Sequence, residues 1–194
     1  ITDNKTLSVL ETIPREKFIP ESFSDQAYEN ISLPIGNEQT ISQPFIVALM
    51  TQNLELNKSH KVLELGTGSG YQTAIIAKLC RRVYTIERIN TLLKKAELIF
   101  KDLRINNIVS KIGDGNEGWI EQKPFDRIII TAATKNLNKK IFSQVKENGI
   151  IISPIIEKND KKVLKKFIKK DNKLIEKNLC EVKFVPNLSG ISNQ

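Results

Sequence analysis

Short apolar runs alternate along the chain with longer stretches whose apolar residues recur at helical spacing. We predict strands at Lys61–Leu65, Arg82–Ile86, Ile108–Ile112, Phe125–Thr131 and Gly149–Ile155. Helices are predicted at Thr6–Ile13, Ser22–Tyr28 (a short piece), Phe45–Leu54, Thr73–Leu79, Thr91–Leu103 and Leu137–Val145. Strands that alternate with helices predict an α/β fold, with a mostly parallel central sheet flanked by helices.

The pattern changes after Val163, where pairs of lysines alternate with pairs of apolar residues. This rhythm fits a helical period, but the turn signal Asp171-Asn172 favours a C-terminal antiparallel hairpin of Lys162–Lys169 with Leu174–Val185. No repeat or low-complexity linker divides the chain. We therefore expect a single domain made of an N-terminal region of helices and a loop (1–58), a ligand-binding core (59–156) and the hairpin region (157–194).

Three glycines on alternate positions, Gly66, Gly68 and Gly70, separate the first buried strand from an apolar helix. Glycine permits positive φ and close approach of a ligand to the backbone, and a helix start offers unpaired N–H groups. The dinucleotide fingerprint is G-x-G-x-x-G, shaped for a pyrophosphate. Here the third glycine comes one residue early, after acidic Glu64, which indicates a ligand without a pyrophosphate. The alternative is a tight turn that binds nothing.

A second acidic residue, Glu87, ends the strand that follows this helix, 21 positions after Gly66. An acidic residue about 20 positions beyond such a glycine turn is where a ribose diol is bound. An ordinary surface glutamate is the alternative, but the combination of glycine turn and strand-end acid favours a nucleoside-containing ligand.

Composition adds few constraints to this picture. The 194 residues are 40% hydrophobic and 27% charged, with a net charge of +8 and only six arginines among 30 basic residues. Proteins that read nucleic-acid bases favour Arg, so we interpret Lys158–Lys173 as a solvated face rather than a phosphate-binding patch. No apolar run approaches the ~18 residues that span a bilayer. We expect a cytoplasmic monomer without membrane or nucleic-acid partners.

The residues that usually carry nucleophilic or metal chemistry are scarce. His60 is the only histidine, which argues against a Ser-His-Asp triad and against a histidine-rich metal site. Cys80 and Cys180 lack metal-ligand spacing and are predicted to be free thiols. We expect no metal.

Several segments together resemble one family. In chain order they are Pro14–Phe18, Leu33–Gly36, Gln39–Pro44, Leu63–Ala74, Glu87–Ile89, Gly113–Gly115, Pro124–Asp126 and Phe184–Pro186. Over about the whole chain they are similar to the protein-L-isoaspartate O-methyltransferases. The glycine motif alone resembles class I S-adenosylmethionine (AdoMet) methyltransferases in general, and the Gln39–Pro44 loop makes the match specific.

The resemblance implies a Rossmann-like class I methyltransferase fold with AdoMet as cofactor and S-adenosylhomocysteine as its product. Gly66, Gly68 and Gly70 would surround the methionine portion, Glu87 would hold the ribose, and Asp114 with Gly115 would contact adenine. The implied cofactor-binding set is Gln39, Thr40, Ile41, Glu64, Gly66, Thr67, Gly68, Gly70, Glu87, Arg88, Asp114 and Gly115. Ser42 would be the catalytic serine, and Ser42, Val185 and Pro186 would hold the substrate.

The implied reaction suits these residues. The acceptor in this family is the free carboxyl of L-isoaspartate in damaged proteins or peptides. With a pKa near ~4 this group is ionised at neutral pH and needs no general base, so alignment of the reactants suffices. Ser42 would orient the carboxylate, although a helix N-cap is the alternative interpretation of this serine.

Three segments depart from the family pattern, and all lie on the predicted substrate side: Thr134–Asn136, Ile156 and Asn187. Two other functions therefore stay open. The first is an AdoMet-dependent methyltransferase with a drifted substrate, RNA or a small molecule. The second is an AdoMet-binding domain without catalysis, which the intact Gln39–Ser42 loop disfavours.

Overall fold

A computed structural model gives the architecture of residues 1–192. Its helices are α1 (Asn4–Thr12), α2 (Pro44–Asn53), α3 (Tyr71–Leu79), α4 (Asn90–Asp102) and α5 (Lys139–Phe142). Its strands are β1 (Leu33–Gly36), β2 (Gln39–Ile41), β3 (Lys61–Leu65), β4 (Arg82–Glu87), β5 (Ile108–Ile112), β6 (Phe125–Ile130), β7 (Val145–Ile156), β8 (Lys162–Lys170) and β9 (Lys173–Glu181).

One sheet of seven strands, in the order β5-β4-β3-β6-β7-β8-β9, organises the molecule. The pairs from β5 to β7 are parallel, and the pairs β7-β8 and β8-β9 are antiparallel. The predicted mostly parallel sheet with a C-terminal antiparallel hairpin is confirmed. The chain leaves β3 toward β4 on one side and returns to β6 on the other, so a crevice opens at the carboxyl ends of these strands.

Alternate side chains of the central strands point to opposite faces of the sheet and pack in two separate cores. Val62 of β3 packs in one core with Ile75 and Ile76 of α3. Leu63, its neighbour, packs in the other core with Ile128 of β6. Because both faces of the sheet are covered, the carboxyl-end edge is where polar ligands can reach the central strands.

The N-terminal segment is fixed to α3 by a buried arginine. Arg15 is completely buried, and its Nε donates to the carbonyl of Ala27 at 2.7 Å. Its guanidinium carbon lies 5.2 Å from the ring centroid of Tyr71, the first residue of α3. Burial lowers the pKa of Arg15, partly opposed by the neighbouring tyrosines. The contacts hold the chain before β1 against the helix that follows the glycine turn.

The predicted helix Leu137–Val145 is wrong in extent. Only Lys139–Phe142 is helical, and Val145 already belongs to β7, where it pairs with Phe125. The segment looked like one helix because Ile141 and Val145 are four positions apart. Both side chains are in the same core, but Ile141 reaches it from the helix and Val145 from strand β7. Strand β7 therefore begins four residues before the predicted start at Gly149.

The lysine-rich segment is only partly a solvated face, so that prediction is corrected for two residues. Lys165 and Lys166 are each 8% exposed, because β8 is an inner strand of the sheet. The Lys165 ammonium lies 2.9 Å from a carboxylate oxygen of Glu157, and Lys166 forms an ion pair with Glu55. Buried ammonium groups need such partners. None of the helices in the described range, 1–192, is long and apolar enough to cross a membrane.

Candidate active site

A cavity lies at the carboxyl ends of β3, β4 and β6, at the crevice that the strand order predicts. Twelve of the residues predicted to bind cofactor or substrate line it: Gln39, Thr40, Ile41, Ser42, Gly66, Thr67, Gly68, Glu87, Arg88, Gly115, Val185 and Pro186. Three predicted cofactor contacts, Glu64, Gly70 and Asp114, do not line it. The structure therefore brings most of the predicted site together from five separate parts of the chain.

The glycine turn is held from both sides. A Cβ on Gly66, whose φ is +97°, would lie 2.3 Å from Oγ1 of Thr131, the residue just after β6. A Cβ on Gly70 would lie 2.7 Å from the ring of Phe100 on α4, so Gly70 serves close packing rather than ligand contact. Gly68 has no such neighbour within 3.4 Å. Its backbone faces the cavity, where a ligand can approach it.

Glu87 is bound directly to the glycine turn. Its Oε2 accepts a hydrogen bond from the N–H of Gly68 at 2.8 Å, and its Oε1 accepts from the N–H groups of Arg88 (2.8 Å) and Ile89 (3.0 Å). The residue is only 5% exposed. Backbone donors fix the carboxylate without using all of its acceptor sites, so it can still accept from a ligand hydroxyl. The two motifs that the sequence singles out form one unit.

Glu64 lies behind the turn rather than in the cavity. It is completely buried, and the hydroxyls of Thr73 and Thr85 donate to its Oε2, the latter at 2.7 Å. Oε1 has no hydrogen-bond partner in residues 1–192. Burial raises the pKa of Glu64 to about 8, although the two hydroxyl hydrogen bonds act to lower it. Glu64 is therefore not placed to contact a cofactor directly, as predicted, and instead lies in the core behind the glycine turn.

A chain of hydroxyl groups connects Glu64 to the cavity wall. The hydroxyl of Thr85 donates to Glu64, so the hydroxyl of Thr67, 2.6 Å away, donates to Thr85. Thr67 lines the cavity. The glycine turn is thus connected to a buried carboxyl group that does not line the cavity.

Asp114 also acts through the backbone. Its carboxylate accepts hydrogen bonds from the N–H groups of Asn116 (2.8 Å) and Gly190 (2.7 Å). Burial raises the pKa of Asp114, but these hydrogen bonds outweigh it and leave the pKa below its usual value. Arg88 donates through Nε to the carbonyl of Gly190 at 2.9 Å. Together the two side chains hold the segment after residue 187 over the cavity, where Leu188 joins the lining.

Ser42 lines the cavity. The alternative interpretation of this serine as a helix N-cap is wrong, because the N-cap of α2 is Gln43 and Pro44 is the first helical residue. The Ser42 hydroxyl makes no hydrogen bond with other residues of the range 1–192, so it is available to a ligand. The predicted loop Gln39–Ser42 is largely strand β2, paired with β1 in a ribbon outside the main sheet.

The segment around Pro186 lines the same cavity. Ala133, just after β6, donates to the carbonyl of Val185 at 2.8 Å and accepts from the N–H of Asn187 at 2.7 Å. These hydrogen bonds explain how residues distant in sequence from the glycine turn reach the same cavity. They also place Asn187, one of the departures from the family pattern, in the cavity lining.

Sequence reasoning missed a set of lining residues that are mostly apolar or aromatic: Val47, Met50, Leu65, Ser69, Tyr71, Gln72, Ile86, Ile89, Thr131, Ala132, Asn187 and Leu188. Val47 and Met50 lie three positions apart on α2, the helix that follows Ser42. Because such residues share one face of a helix, the sequence could have indicated that both turn toward the site. Leu188 had no such signal.

Comparisons with known proteins identify the family of this chain. The family model for Protein-L-isoaspartate(D-aspartate) O-methyltransferase (PCMT) matches residues 1–192. The chain is 48% identical over 190 residues to a protein-L-isoaspartate O-methyltransferase of Maricaulis maris (strain MCS10), covering 98% of this chain and 89% of that protein. A second relative, from Dictyoglomus turgidum, is 48% identical over 186 residues, covering 96% of this chain and 84% of that protein.

Solved structures show the same relationship. A protein-L-isoaspartate O-methyltransferase structure superposes with a TM-score of 0.89 at 29% identity, covering 98% of this chain and 63% of that chain. A Plasmodium falciparum structure, described as a putative protein of this kind in complex with S-adenosyl-L-homocysteine, gives 0.86 at 26% identity, covering 97% and 92%. The chain belongs to the protein-L-isoaspartate(D-aspartate) O-methyltransferase family.

Proposed function

We propose that this chain transfers the methyl group of AdoMet to the free carboxylate of L-isoaspartyl residues in damaged peptides and proteins. The observation that carries the proposal is one cavity lined both by Ser42, whose hydroxyl has no partner among residues 1–192, and by the hydrogen-bonded unit of Gly68 and Glu87. The family membership and the relatives at 48% identity support the reaction class.

The cofactor half of the cavity fits AdoMet. The carboxylate of Glu87 accepts from three backbone donors, so about one of its four acceptor sites, on Oε2, is left for a ribose hydroxyl. Gly68 leaves room for the methionine portion, since no atom lies within 3.4 Å of where its Cβ would be. Ile89 and Leu188 offer apolar side chains for the adenine ring. When bound there, AdoMet supplies a sulfonium-activated methyl group.

The acceptor half needs only positioning groups. An isoaspartyl carboxylate with an ordinary pKa of about 4 is ionised at neutral pH, so no residue has to remove a proton. Ser42 would donate its hydroxyl to one carboxylate oxygen, and Val185 and Pro186 would hold the peptide. These residues align the acceptor and exclude water, which is the contribution that an in-line displacement requires of the protein.

The observations weaken the RNA alternative. Lys165 and Lys166, at the centre of the lysine-rich segment, are buried and paired with carboxylates, so they are not available to phosphates. Monomeric state, cytoplasmic location and the division of the chain into three regions stay predictions.

Methyl transfer to a matched peptide pair tests the proposed function. One peptide carries L-isoaspartate and the other normal aspartate, and labelled AdoMet is the donor. We expect base-labile label on the isoaspartyl peptide alone. Absence of label on both peptides, with AdoMet binding shown by calorimetry, would support a drifted substrate or a silent binding domain instead.

Ser42→Ala is expected to lower turnover of the isoaspartyl peptide about tenfold, because one hydrogen bond to a charged carboxylate is lost. The dissociation constant of AdoMet should change less than twofold in the same variant, since Ser42 is assigned to the acceptor. Calorimetry and steady-state kinetics on one preparation measure both quantities.

Glu87→Ala is expected to weaken AdoMet binding by more than about tenfold, because hydrogen bonds from hydroxyls to a charged acceptor contribute roughly 1.5–3 kcal/mol. Calorimetric titration measures the change. Glu121→Gln, which alters an exposed glutamate away from the cavity, is the matched control and should bind normally. Equal losses of AdoMet affinity in Glu87→Ala and Ser42→Ala would contradict the assigned roles.

A further inference from the structure

A second groove begins where the cavity ends. Ser42 lines both spaces, and from there the groove runs between the start of α2, represented by Gln43 and Ile46, and the lysines and acids around β8 and β9. An acceptor carboxylate at Ser42 belongs to a polypeptide, so the rest of that polypeptide has to leave the cavity. The groove offers a path for it.

Two chain segments line the cavity and the groove in turn. Residues 39–42 border the cavity, and Ser42, Gln43 and Ile46 continue along the groove. On the other side, residues 185–188 border the cavity, and Glu181, Val182 and Lys183 continue along the groove. The cavity and the groove therefore adjoin at Ser42 and are bordered by the same two chain segments.

The groove keeps a net positive charge after its internal pairs are counted. Its charged lining consists of Asp160, Lys161, Lys162, Glu181 and Lys183. Lys161 pairs with Glu181 at 2.6 Å, which cancels one charge of each sign. Lys162 donates to the carbonyl of Phe184 at 2.8 Å and keeps its charge. Lys183 is exposed, and its ammonium makes no hydrogen bond or ion pair within residues 1–192. The lining therefore keeps two positive charges, those of Lys162 and Lys183, against the one negative charge of Asp160.

We propose that this groove binds the residues that flank the isoaspartyl residue and favours a carboxylate among them, with Lys183 as its principal partner. The inference rests on the proposed function, which supplies the peptide. The Lys183 ammonium is exposed and has no ion-pair partner to lose. It can therefore approach a substrate carboxylate while keeping most of its hydration. The preference is correspondingly modest, since exposed ion pairs contribute roughly 0.2–1 kcal/mol.

A set of isoaspartyl peptides of equal length tests the inference. Each peptide carries Glu, Gln or Lys at one position, two to four residues before or after the isoaspartyl residue. For the wild type we expect kcat/KM to be about two- to fivefold higher with Glu than with Gln at positions on one side, and lower still with Lys. Added salt should reduce the difference, because exposed charges are screened.

Variants identify the partner. Lys183→Gln is expected to bring the Glu/Gln ratio of kcat/KM close to one, and Lys183→Glu to invert it. Lys177→Gln, on the exposed side of β9 and outside the groove, is the matched control and should keep the wild-type ratio. A ratio unaltered by both changes at Lys183 would overturn the inference.

The inference and the proposed function fail in different ways. If the wild type does not methylate the Gln peptides at all, the proposed function is wrong. If it methylates them, but Glu, Gln and Lys peptides have equal kcat/KM at every position, the function stands and the charged groove is not a recognition surface.

Discussion

Glu64→Gln is expected to stabilise the protein at pH 9 by on the order of 4 kcal/mol relative to the wild type. The folded state buries this side chain completely and holds its pKa at about 8, against a usual value of 4.5. Glutamine has nearly the shape of the protonated acid and cannot ionise. It therefore removes the cost of charging a buried group, while Thr73 and Thr85 can still donate to its carbonyl oxygen.

The sign of the pH dependence follows from proton binding. Between pH 4.5 and about pH 8 the folded state keeps the Glu64 proton, whereas the unfolded chain loses it. The native state then binds more protons than the unfolded state, so the free energy of unfolding falls as pH rises through this window. Below pH 4.5 both states are protonated, and wild type and variant should agree within about 1 kcal/mol.

Denaturant unfolding of both proteins without cofactor, at intervals from pH 4.5 to pH 9, measures the effect. The difference between the two curves isolates Glu64, because the other groups titrate in both proteins. Glu121→Gln, at an exposed site, should follow the wild-type curve at every pH. Parallel curves for wild type and Glu64→Gln would mean that Glu64 is already ionised at neutral pH, with water at its Oε1.

Gly66→Ala is expected to destabilise the fold by about 3 kcal/mol and to abolish measurable AdoMet binding. Positive φ costs a residue with a Cβ roughly 1–2 kcal/mol, and overpacking costs a further 1–3 kcal/mol. The new methyl group would lie 2.3 Å from Oγ1 of Thr131, which itself donates to the carbonyls of Leu65 and Gly66. Relief of this clash moves the turn that cradles the cofactor.

Two matched variants separate the contributions. Gly36→Ala changes a glycine with nearly the same φ, +92°, but with no atom within 4 Å of the new Cβ, so only the backbone cost of about 1–2 kcal/mol is expected. Thr131→Ala added to Gly66→Ala removes the closest atom and leaves the next at 3.7 Å, so part of the stability should return. Equal losses in Gly66→Ala and Gly36→Ala would rule out the steric explanation.

The core of this fold is predictable because its signals are local. The strand before Gly66, the glycine turn, the helix after it and the acidic residue Glu87 lie within 27 consecutive residues, from 61 to 87. Each is specified by spacing and residue type, without reference to distant parts of the chain. The hydrogen bond from Gly68 to Glu87 then joins two features that the sequence shows separately.

The wrong predictions for the lysine-rich segment and for Glu64 have a different cause. In both cases the environment of the side chain depends on where its strand lies in the sheet. Lysines at 165 and 166 have the composition of a surface, but they become buried because two strands flank β8 and acids from other segments reach them. Glu64 precedes the glycines in sequence, yet it points into the core behind them. No local pattern distinguishes the two faces of a strand whose residues are apolar on both.

The position of Ser42 between the cavity and the groove has a consequence for the proteins that are repaired. A carboxylate reaches Ser42 only on a stretch of polypeptide that stands clear of its own fold. Damage in loops and tails meets this condition at once, whereas damage within a helix or sheet meets it only while that segment is locally unfolded. Each additional 1.4 kcal/mol of local stability makes the open form about tenfold rarer. The order in which damaged sites are repaired would then be set more by the local stability of the damaged protein than by the roughly two- to fivefold preference of the groove.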